Sequence, residues 1–404
     1  MRQNLVNFSF YKILVCLKMM LKKVLLGIIN KLSLSEFFYK IESILSLPTD
    51  SFSFQSTAEA TAFLHTIYPD NGQSCIIDRT EVIQDYDLEI IVPCYNAEKY
   101  VEECVDSILM QVTKYSFRLL IINDGSYDNT RQILRKYENL KNVIIIDQEN
   151  KGHSGARNVG ISQAQGRYLM FVDSDDVLLP GSIEKLMSLA ESHNADIVDS
   201  GHIRFADKYN IDVLSRVIVN IYNSIQSPQL PTTNQYSSGL TGYAWGKVLK
   251  AELFSNIQFP MGYWFEDTIV WMILEPLSKS IVLYNKPSTR YRMNLDSVSH
   301  IAVNSSKSID SLYITLSLLK DRKLIGIEFD QYQYDLLLRQ MRINFNRVAK
   351  LDTKIKQAVY LIESDLITNT FSSWITKDPT LKPIENLLRK KDYTGFKLWC
   401  KWHS

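Results

Sequence analysis

The stretch Tyr168-Leu169-Met170-Phe171-Val172-Asp173-Ser174-Asp175-Asp176 sets an acidic cluster directly after an apolar run. Five consecutive apolar residues are enough for one buried strand. Residues two apart lie on the same side of an extended backbone, so Asp173 and Asp175 are expected to point the same way. The stretch therefore predicts a strand whose carboxyl end presents paired carboxylates.

Similar apolar runs precede this one, at residues 88–93, 117–122 and 143–146. Helical patterns separate or follow the runs, at residues 98–112, 129–139, 154–164 and 181–193. This alternation predicts an α/β domain with a Rossmann-like, mostly parallel sheet flanked by helices. Ligands of such sheets bind at the carboxyl ends of the strands, which makes the polar residues there site candidates.

One such polar group is the turn Asn123-Asp124-Gly125-Ser126. Asp124 is suited to accept a hydrogen bond from a nucleobase N–H, and Gly125 lets the backbone approach a ligand closely. Taken alone, the same four residues are also typical of a plain turn.

A glycine-rich loop, Glu149-Asn150-Lys151-Gly152-His153-Ser154-Gly155-Ala156-Arg157-Asn158-Val159-Gly160, leads into a predicted helix. Helix N-termini favour anions, and Arg157 adds a fixed cationic fork. The glycine spacing fits neither GxGxxG nor GxxxxGK[ST], which disfavours a dinucleotide oxidoreductase and a P-loop ATPase.

The acidic cluster itself suits a hard divalent cation. Mg²⁺ or Mn²⁺ is commonly held by one or two carboxylates together with phosphate oxygens, and such a metal neutralises a departing diphosphate. An acidic triplet is also common as a helix cap or a solvated turn, so this interpretation depends on the neighbouring motifs.

Composition narrows the class of protein. The 404 residues exceed the usual size of a single core, which predicts more than one structural unit. A formal charge of +1 gives no overall electrostatic basis for binding nucleic acid. The five cysteines form no CxxC pair, which favours a reducing compartment over a zinc site or a disulfide framework.

The two ends of the chain carry basic, apolar segments. Residues 10–32 are interrupted by lysines, which disfavours a spanning helix. Residues 388–391 and 396–402 form a basic and aromatic tail. Either segment suits peripheral contact with an anionic membrane surface. For residues 10–32 the alternative is a helix packed on the α/β domain or on a partner subunit, and for the tail it is a solvated amphipathic helix.

The ordered motifs resemble glycosyltransferase family 2, whose members adopt the GT-A fold. The likeness covers about 115 residues, 88–201, and includes Ile91-Val92-Pro93-Cys94-Tyr95-Asn96, the Asp124 turn, the glycine-rich loop and the acidic cluster. It implies a nucleotide-sugar site formed by Pro93, Tyr95, Asn96, Asp124, Gly152, Arg157, Asp173, Ser174 and Trp245. It also implies that Asp175, with Asp173, holds the Mn²⁺ or Mg²⁺.

A looser resemblance continues through Tyr243-Ala244-Trp245-Gly246-Lys247-Val248-Leu249 and Tyr263-Trp264-Phe265-Glu266-Asp267-Thr268, which look like the acceptor half of bacterial family members. Inversion by direct displacement needs a carboxylate to take the acceptor's proton, and Asp267 is the predicted base, with Glu266 as its substitute. An acidic helix start is the simpler alternative. Residues 291–300 resemble a segment that closes over the diphosphate, which makes His300 a candidate metal ligand and Arg292 a candidate phosphate contact.

The sequence thus predicts a metal-dependent, inverting transferase that moves a hexose from a UDP-sugar to a glycan or glycoprotein hydroxyl. The expected segments are an N-terminal helical region (1–87), a GT-A domain (88–300, with halves 88–201 and 202–300) and a C-terminal helical module (301–404). The expected location is the cytoplasm, with possible attachment to the inner face of the membrane. The alternative is a catalytically silent nucleotide-sugar-binding scaffold or a partner subunit of a glycosyltransferase complex. A nucleotidyltransferase is disfavoured because residues 93–96 form no glycine-rich nucleotide loop.

Overall fold

The computed structural model describes Tyr39, Glu42 and residues 53–78, 84–205, 242–293 and 305–403. The chain divides into two compact units, one formed by Met1–Ile67 with Asp335–Ser404 and the other by Tyr68–Tyr334. This division groups residues 68–87 and 301–334 with the sheet, whereas the sequence suggested boundaries after residues 87 and 300. The functional division at those two points stays a prediction.

The described part of the larger unit is built on one eight-stranded sheet with the order β3-β2-β1-β4-β7-β6-β8-β5. Its strands are β1 Tyr86–Cys94, β2 Phe117–Asp124, β3 Val143–Gln148, β4 Gly166–Phe171, β5 Val177–Leu178, β6 Ile197–Phe205, β7 Lys247–Lys250 and β8 Ile281–Arg292. The α/β class and the four strands expected from the apolar runs are confirmed. The sheet is more mixed than expected, because β7 runs antiparallel to both β4 and β6, and β5 runs antiparallel to β8.

Helices flank these strands close to the positions predicted from the sequence. They are α2 Val101–Leu109, α3 Thr130–Leu134, α4 Gly152–Gln163 and α5 Ser182–Ser192, whereas α1 Thr57–Ile67 belongs to the smaller unit. Further along the chain lie the wide turn Val270–Leu274, α6 Glu275–Leu277, α7 Asp310–Leu324, α8 Gln331–Arg347, α9 Thr353–Asp365, α10 Lys382–Arg389 and α11 Tyr393–Trp402. At the start of α3, Oδ1 of Asp128 accepts the N–H of Thr130 at 2.9 Å, which satisfies one of the free N–H groups of the first turn.

Strands β1 and β2 are covered on both faces, as their continuous apolar runs require in a parallel sheet. Helix α4 packs directly on β1 at Gly160. A Cβ at Gly160 would lie 2.4 Å from Cγ2 of Ile91, so only glycine permits this approach. The N-terminal end of α4 lies at the carboxyl end of β2, since the N–H of Lys151, just before the helix, donates to Oδ1 of Asp124 at 2.8 Å.

The smaller unit contains the C-terminal tail, whose apolar residues are interior. Phe396, Leu398, Trp399 and Cys400 in α11 are all buried. Any contact of this tail with a membrane would therefore depend on its lysines, and the contact stays a prediction. Residues 10–32 lie outside the described part of the chain. No described helix is long and apolar enough to cross a bilayer.

Candidate active site

The parallel register brings the ends of β1, β2 and β3 together. Asn123 lies opposite Cys94 on one side and Asp147 on the other, and Asp124 lies opposite Gln148. Strand β4 joins the same edge, since the N–H of Val172 donates to the carbonyl oxygen of Ile91 at 3.1 Å. The motifs predicted to share one edge of the sheet do so.

Asp124 is held in place by donors from the next strand and loop. Its Oδ1 accepts the Nε2–H of Gln148 at 2.6 Å and the backbone N–H of Lys151 at 2.8 Å. The side-chain amide of Asn150 donates to its carbonyl oxygen at 3.0 Å. Both carboxylate contacts use Oδ1, and Asp124 has no ion pair with a described residue. The turn that follows requires Gly125, which adopts φ +72° and approaches the backbone of Asn150.

Tyr95 and Asn96 form the rim beside Asp124. Tyr95 is 47% exposed and meets the ring of Tyr127 edge to face. Asn96 adopts φ +50°, and its Oδ1 accepts the N–H of Tyr127 at 3.0 Å. Pro93 lies buried within β1 below them. The predicted nucleotide-binding residues from β1 and β2 are therefore adjacent, with an exposed aromatic ring at the opening.

Arg157 in α4 joins the two halves of the site. It is 1% exposed, and its Nη1 lies 2.5 Å from Oε1 of Glu266 and 3.5 Å from Oδ1 of Asp267. Its Nη2 lies 3.0 Å from Oδ1 of Asp173. The guanidinium also faces the ring of Phe259 at 5.3 Å. Arg157 was expected to contact the nucleotide, yet in this structure its fork is occupied by three carboxylates.

These carboxylates differ in their affinity for a proton. Burial raises the pKa of Asp267 to about 7, and the negative charges of Glu266 and Asp173 add to the rise. Burial also opposes ionisation of Glu266, but the Arg157 guanidinium outweighs it and lowers the pKa of Glu266. The two adjacent acids therefore occupy different protonation ranges, which is the pattern of a base beside a fixed anion.

The backbone before these acids is strained. Phe265 adopts φ +69°, a left-handed conformation that costs a bulky residue about 1–3 kcal/mol. The N–H of Thr268 donates to the carbonyl oxygen of Phe265 at 3.0 Å, which closes the turn leading to Val270–Leu274. The turn aims Glu266 and Asp267 at Arg157, as their ion pairs with it show.

The acidic turn after β4 is fixed by Arg292 at the end of β8. The N–H of Arg292 donates to Oδ1 of Asp176 at 2.8 Å, and its Nε donates to the carbonyl oxygen of Asp175 at 2.6 Å. Its Nη2 pairs with Glu103. These bonds make Arg292 a support for the acidic turn, and its contact with a phosphate stays a prediction.

The carboxylates of the turn fit a divalent cation bound together with phosphates. Burial raises the pKa of Asp175 to about 6, and the charge of Asp173 adds to the rise, so a cation would relieve repulsion there. Ser174 lies half-buried between them. No group of three or more acidic, histidine or cysteine side chains forms a metal cage among the residues described. One or two carboxylates plus substrate oxygens suffice for Mg²⁺, so the donor set fits. His300 lies outside the described residues.

Trp245 stands in a stack of rings rather than at an open surface. Its ring is stacked on Tyr243 with centroids 4.7 Å apart and on Tyr291 with centroids 5.2 Å apart. It is 5% exposed. A sugar could stack on Trp245 only by displacing one of these neighbours. Trp264 is half-buried, and its backbone N–H donates to Oδ2 of Asp310 at 2.9 Å.

Gly152 and His153 begin α4. Gly152 adopts φ +72° with open space around its Cα, as the loop-to-helix turn requires. His153 is half exposed, with Nδ1 4.0 Å from Glu266. Sequence reasoning missed the support residues Gln148, Glu103 and His202. Of these, only Gln148 had a usable signal, since it is the register partner of Asp124 once β2 and β3 are aligned.

Comparisons with known proteins bear on the family and on the fold of the chain. Residues 89–254 match the family model described as Glycosyl transferase family 2. The Streptococcus pneumoniae glycosyltransferase GlyA is 30% identical over 226 residues, which are 54% of this chain and 32% of GlyA. This chain therefore spans about a third of that relative's length. Escherichia coli WfgD, described as a UDP-Glc:alpha-D-GlcNAc-diphosphoundecaprenol beta-1,3-glucosyltransferase, is 27% identical over 54% of this chain and 81% of its own.

A solved structure extends the likeness to the fold. Staphylococcus aureus TarS 1–349 in complex with UDP-GlcNAc has a TM-score of 0.60 at 18% identity, covering 78% of this chain and 91% of that chain. Full-length TarS is covered to 54%. The similarity establishes the fold as GT-A, as expected from the sequence.

Proposed function

The chain belongs to glycosyltransferase family 2, and on that premise we propose that it transfers a hexose from a UDP-sugar to an acceptor hydroxyl with inversion. The observation that carries the proposal is the Arg157 junction. One buried guanidinium there joins Asp173 of the acidic turn to Glu266 and Asp267 of the opposite turn. Donor chemistry and proton transfer thereby share one site.

The proposed donor lies across β2, β1 and β4. Strands in a sheet are about 4.8 Å apart, so the ends of β2 and β4 are separated by roughly 10 Å. That span suits a nucleoside with its diphosphate, with the base at Asp124 and the phosphates at Asp173 and Asp175. The exposed ring of Tyr95 supports the proposal, since it offers a stacking face beside Asp124.

The proposed cofactor is Mn²⁺ or Mg²⁺ held by Asp175 and Asp173, which would stabilise the charge of the departing UDP. The chain's own contribution is to hold these carboxylates at the rim. Arg292 fixes the acidic turn through its bonds to Asp175 and Asp176. The guanidinium of Arg157 pairs with Asp173 and balances its negative charge.

Asp267 is the proposed base. With a pKa near 7, its carboxylate is a competent acceptor for the hydroxyl proton at neutral pH. Glu266 stays ionised against Arg157, so it orients the guanidinium instead of exchanging protons. The acceptor oxygen attacks the anomeric carbon, its proton passes to Asp267, and the bond to UDP breaks on the opposite face.

We further propose that the acceptor is a cell-surface glycan or a glycoprotein and that the reaction takes place in the cytoplasm, on or near the inner face of the membrane. WfgD supports the first point, since the acceptor in its name is a GlcNAc-diphosphoundecaprenol, a lipid-linked glycan. Intracellular synthesis of nucleotide sugars supports the second.

The test measures UDP release with a panel of UDP-sugars and glycan acceptors in the presence of Mn²⁺ or Mg²⁺. Asp175→Asn and Asp267→Asn are each expected to lower the rate of UDP release by about 100-fold or more. Asp85→Asn, which removes an exposed carboxylate at the opposite end of β1, is the matched control and should retain wild-type rates. Cation-assisted UDP binding without turnover of any donor would instead support a silent scaffold.

A further inference from the structure

A column of aromatic rings stands on the side of the acidic turn away from Asp124. The rings of Tyr243, Trp245 and Tyr291 are nearly parallel, with interplanar angles of 10° and 14°. His202 meets the edge of the column, with its ring centroid 4.9 Å from that of Trp245. Four rings from three parts of the chain therefore form one rigid group.

The column adjoins the reaction centre. Trp245 forms a β-bridge with Phe171, two residues before Asp173. Tyr291 precedes Arg292, whose N–H donates to Oδ1 of Asp176 at 2.8 Å, so the inner end of the column lies beside the acidic turn. The outer end is Tyr243, which is 40% exposed.

The strand order separates this column from the nucleotide. Asp124 ends β2, whereas His202 and Tyr291 belong to β6 and β8, on the far side of β4. Strands β2 and β6 are four intervals apart, or roughly 19 Å at ordinary strand spacing. A nucleobase bound at Asp124 cannot also reach the column. The column is therefore placed to contact a molecule that approaches β4 from the side opposite Asp124.

The chemistry of the outer ring suits a sugar. One face of Tyr243 is covered by Trp245, and no other stacked ring covers its second face among the described residues. Burial lowers the pKa of His202 to about 4, so His202, which supports the column, is neutral at physiological pH. An aromatic face held rigid before binding recognises the apolar C–H face of a pyranose at little entropic cost.

We propose that Tyr243 is the stacking platform for a pyranose ring of the acceptor. The proposal rests on the proposed function for its reaction, and it assigns the acceptor contact to Tyr243 in place of Trp245. Trp245, Tyr291 and His202 act through Tyr243 and are positioning residues.

The experiment is saturation-transfer NMR on the full chain with octyl β-D-glucopyranoside and octyl β-D-galactopyranoside, in the presence of UDP and Mg²⁺. Wild-type protein should saturate the ring protons of at least one glycoside. Tyr243→Ala should weaken that affinity about 3- to 10-fold, the range that loss of one aromatic stack produces. Tyr243→Phe keeps the ring and should bind as wild type does, which separates loss of the platform from loss of folding.

Tyr95→Ala is the matched control, since Tyr95 is also an exposed tyrosine but lies on the donor side. It should weaken UDP binding and leave glycoside binding unchanged. Equal glycoside affinity in wild type and Tyr243→Ala, or no glycoside binding to wild type that binds UDP, would overturn the platform. The UDP titration decides separately on the donor site, because its failure in wild type would refute the proposed function whatever the glycosides do.

Discussion

Nε of Arg292 lies 2.6 Å from the carbonyl oxygen of Asp175, so the last residue of β8 fixes the backbone of the proposed metal-binding turn. The same residue donates its N–H to Asp176. Supports of this kind tune a metal site without touching the metal.

Arg292→Lys should weaken cation-assisted UDP binding, because a lysine lacks the planar fork that reaches Glu103 and the Asp175 carbonyl together. Loss of such a support typically lowers metal affinity about 10- to 100-fold. A decrease of that size is expected for Arg292→Lys, and Mn²⁺ titration of UDP binding measures it. Arg167→Lys, in a surface ion pair with Asp87, should leave the titration unchanged. An unaltered Mn²⁺ midpoint in Arg292→Lys would contradict the role.

The rate should depend on pH through Asp267. The base works only when deprotonated, and its pKa is raised to about 7, so kcat/KM should rise with pH and level off above about pH 7. Asp267→Asn should lose this acid limb together with about 10²- to 10⁴-fold in kcat. The profile is measured by UDP release at saturating metal. If kcat/KM of Asp267→Asn still decreases at low pH, the titration belongs to another group.

Stability should also depend on pH, through Glu275. Burial raises the pKa of Glu275 to about 8, and Asp330 and Asp199 add to the rise. The folded state therefore holds a proton that the unfolded chain releases near pH 4.5, and the stability of the fold declines as pH rises from about 4.5 to about 8.

Glu275→Gln removes that titration, so the variant should match wild type near pH 5 and be more stable by a few kcal/mol above pH 8. Urea unfolding at the two pH values measures the difference. Glu252→Gln, a change at a largely exposed side chain, is the control and should show no such gain. Equal unfolding midpoints at high pH would show that ionised Glu275 carries no penalty.

Gly160→Ala should destabilise the larger unit by about 1–3 kcal/mol, because the added Cβ would overlap Ile91 and push α4 off the sheet. Since α4 also carries Arg157, the variant should lose activity beyond its loss of stability. Gly201→Ala is the control, because its Cβ would meet only ordinary contacts at 3.5 Å. Thermal unfolding and UDP release measure the two effects, and a Gly160→Ala protein with unchanged melting would refute the packing argument.

The strands β1 to β4 and their polar ends could be predicted because apolar runs and turn residues are local signals. The antiparallel insertion of β7 could not, since its pairing with β4 joins Leu169 to Leu249 across a long stretch of chain. The ion pairs of Arg157 could not be predicted from the sequence for the same reason. Its partners Glu266 and Asp267 follow more than a hundred residues later, and an arginine in a helix gives no local sign of which carboxylates it will meet.

Strand β7 gives β4 an antiparallel neighbour on one flank and leaves the parallel ladder with β1 intact on the other. The backbone pairing of each flank is thus independent, and segments attached to β6 and β8 can lengthen, shorten or be exchanged without shifting the alignment of β1 to β3. In such a sheet the proposed acceptor side can vary while the proposed donor side is kept.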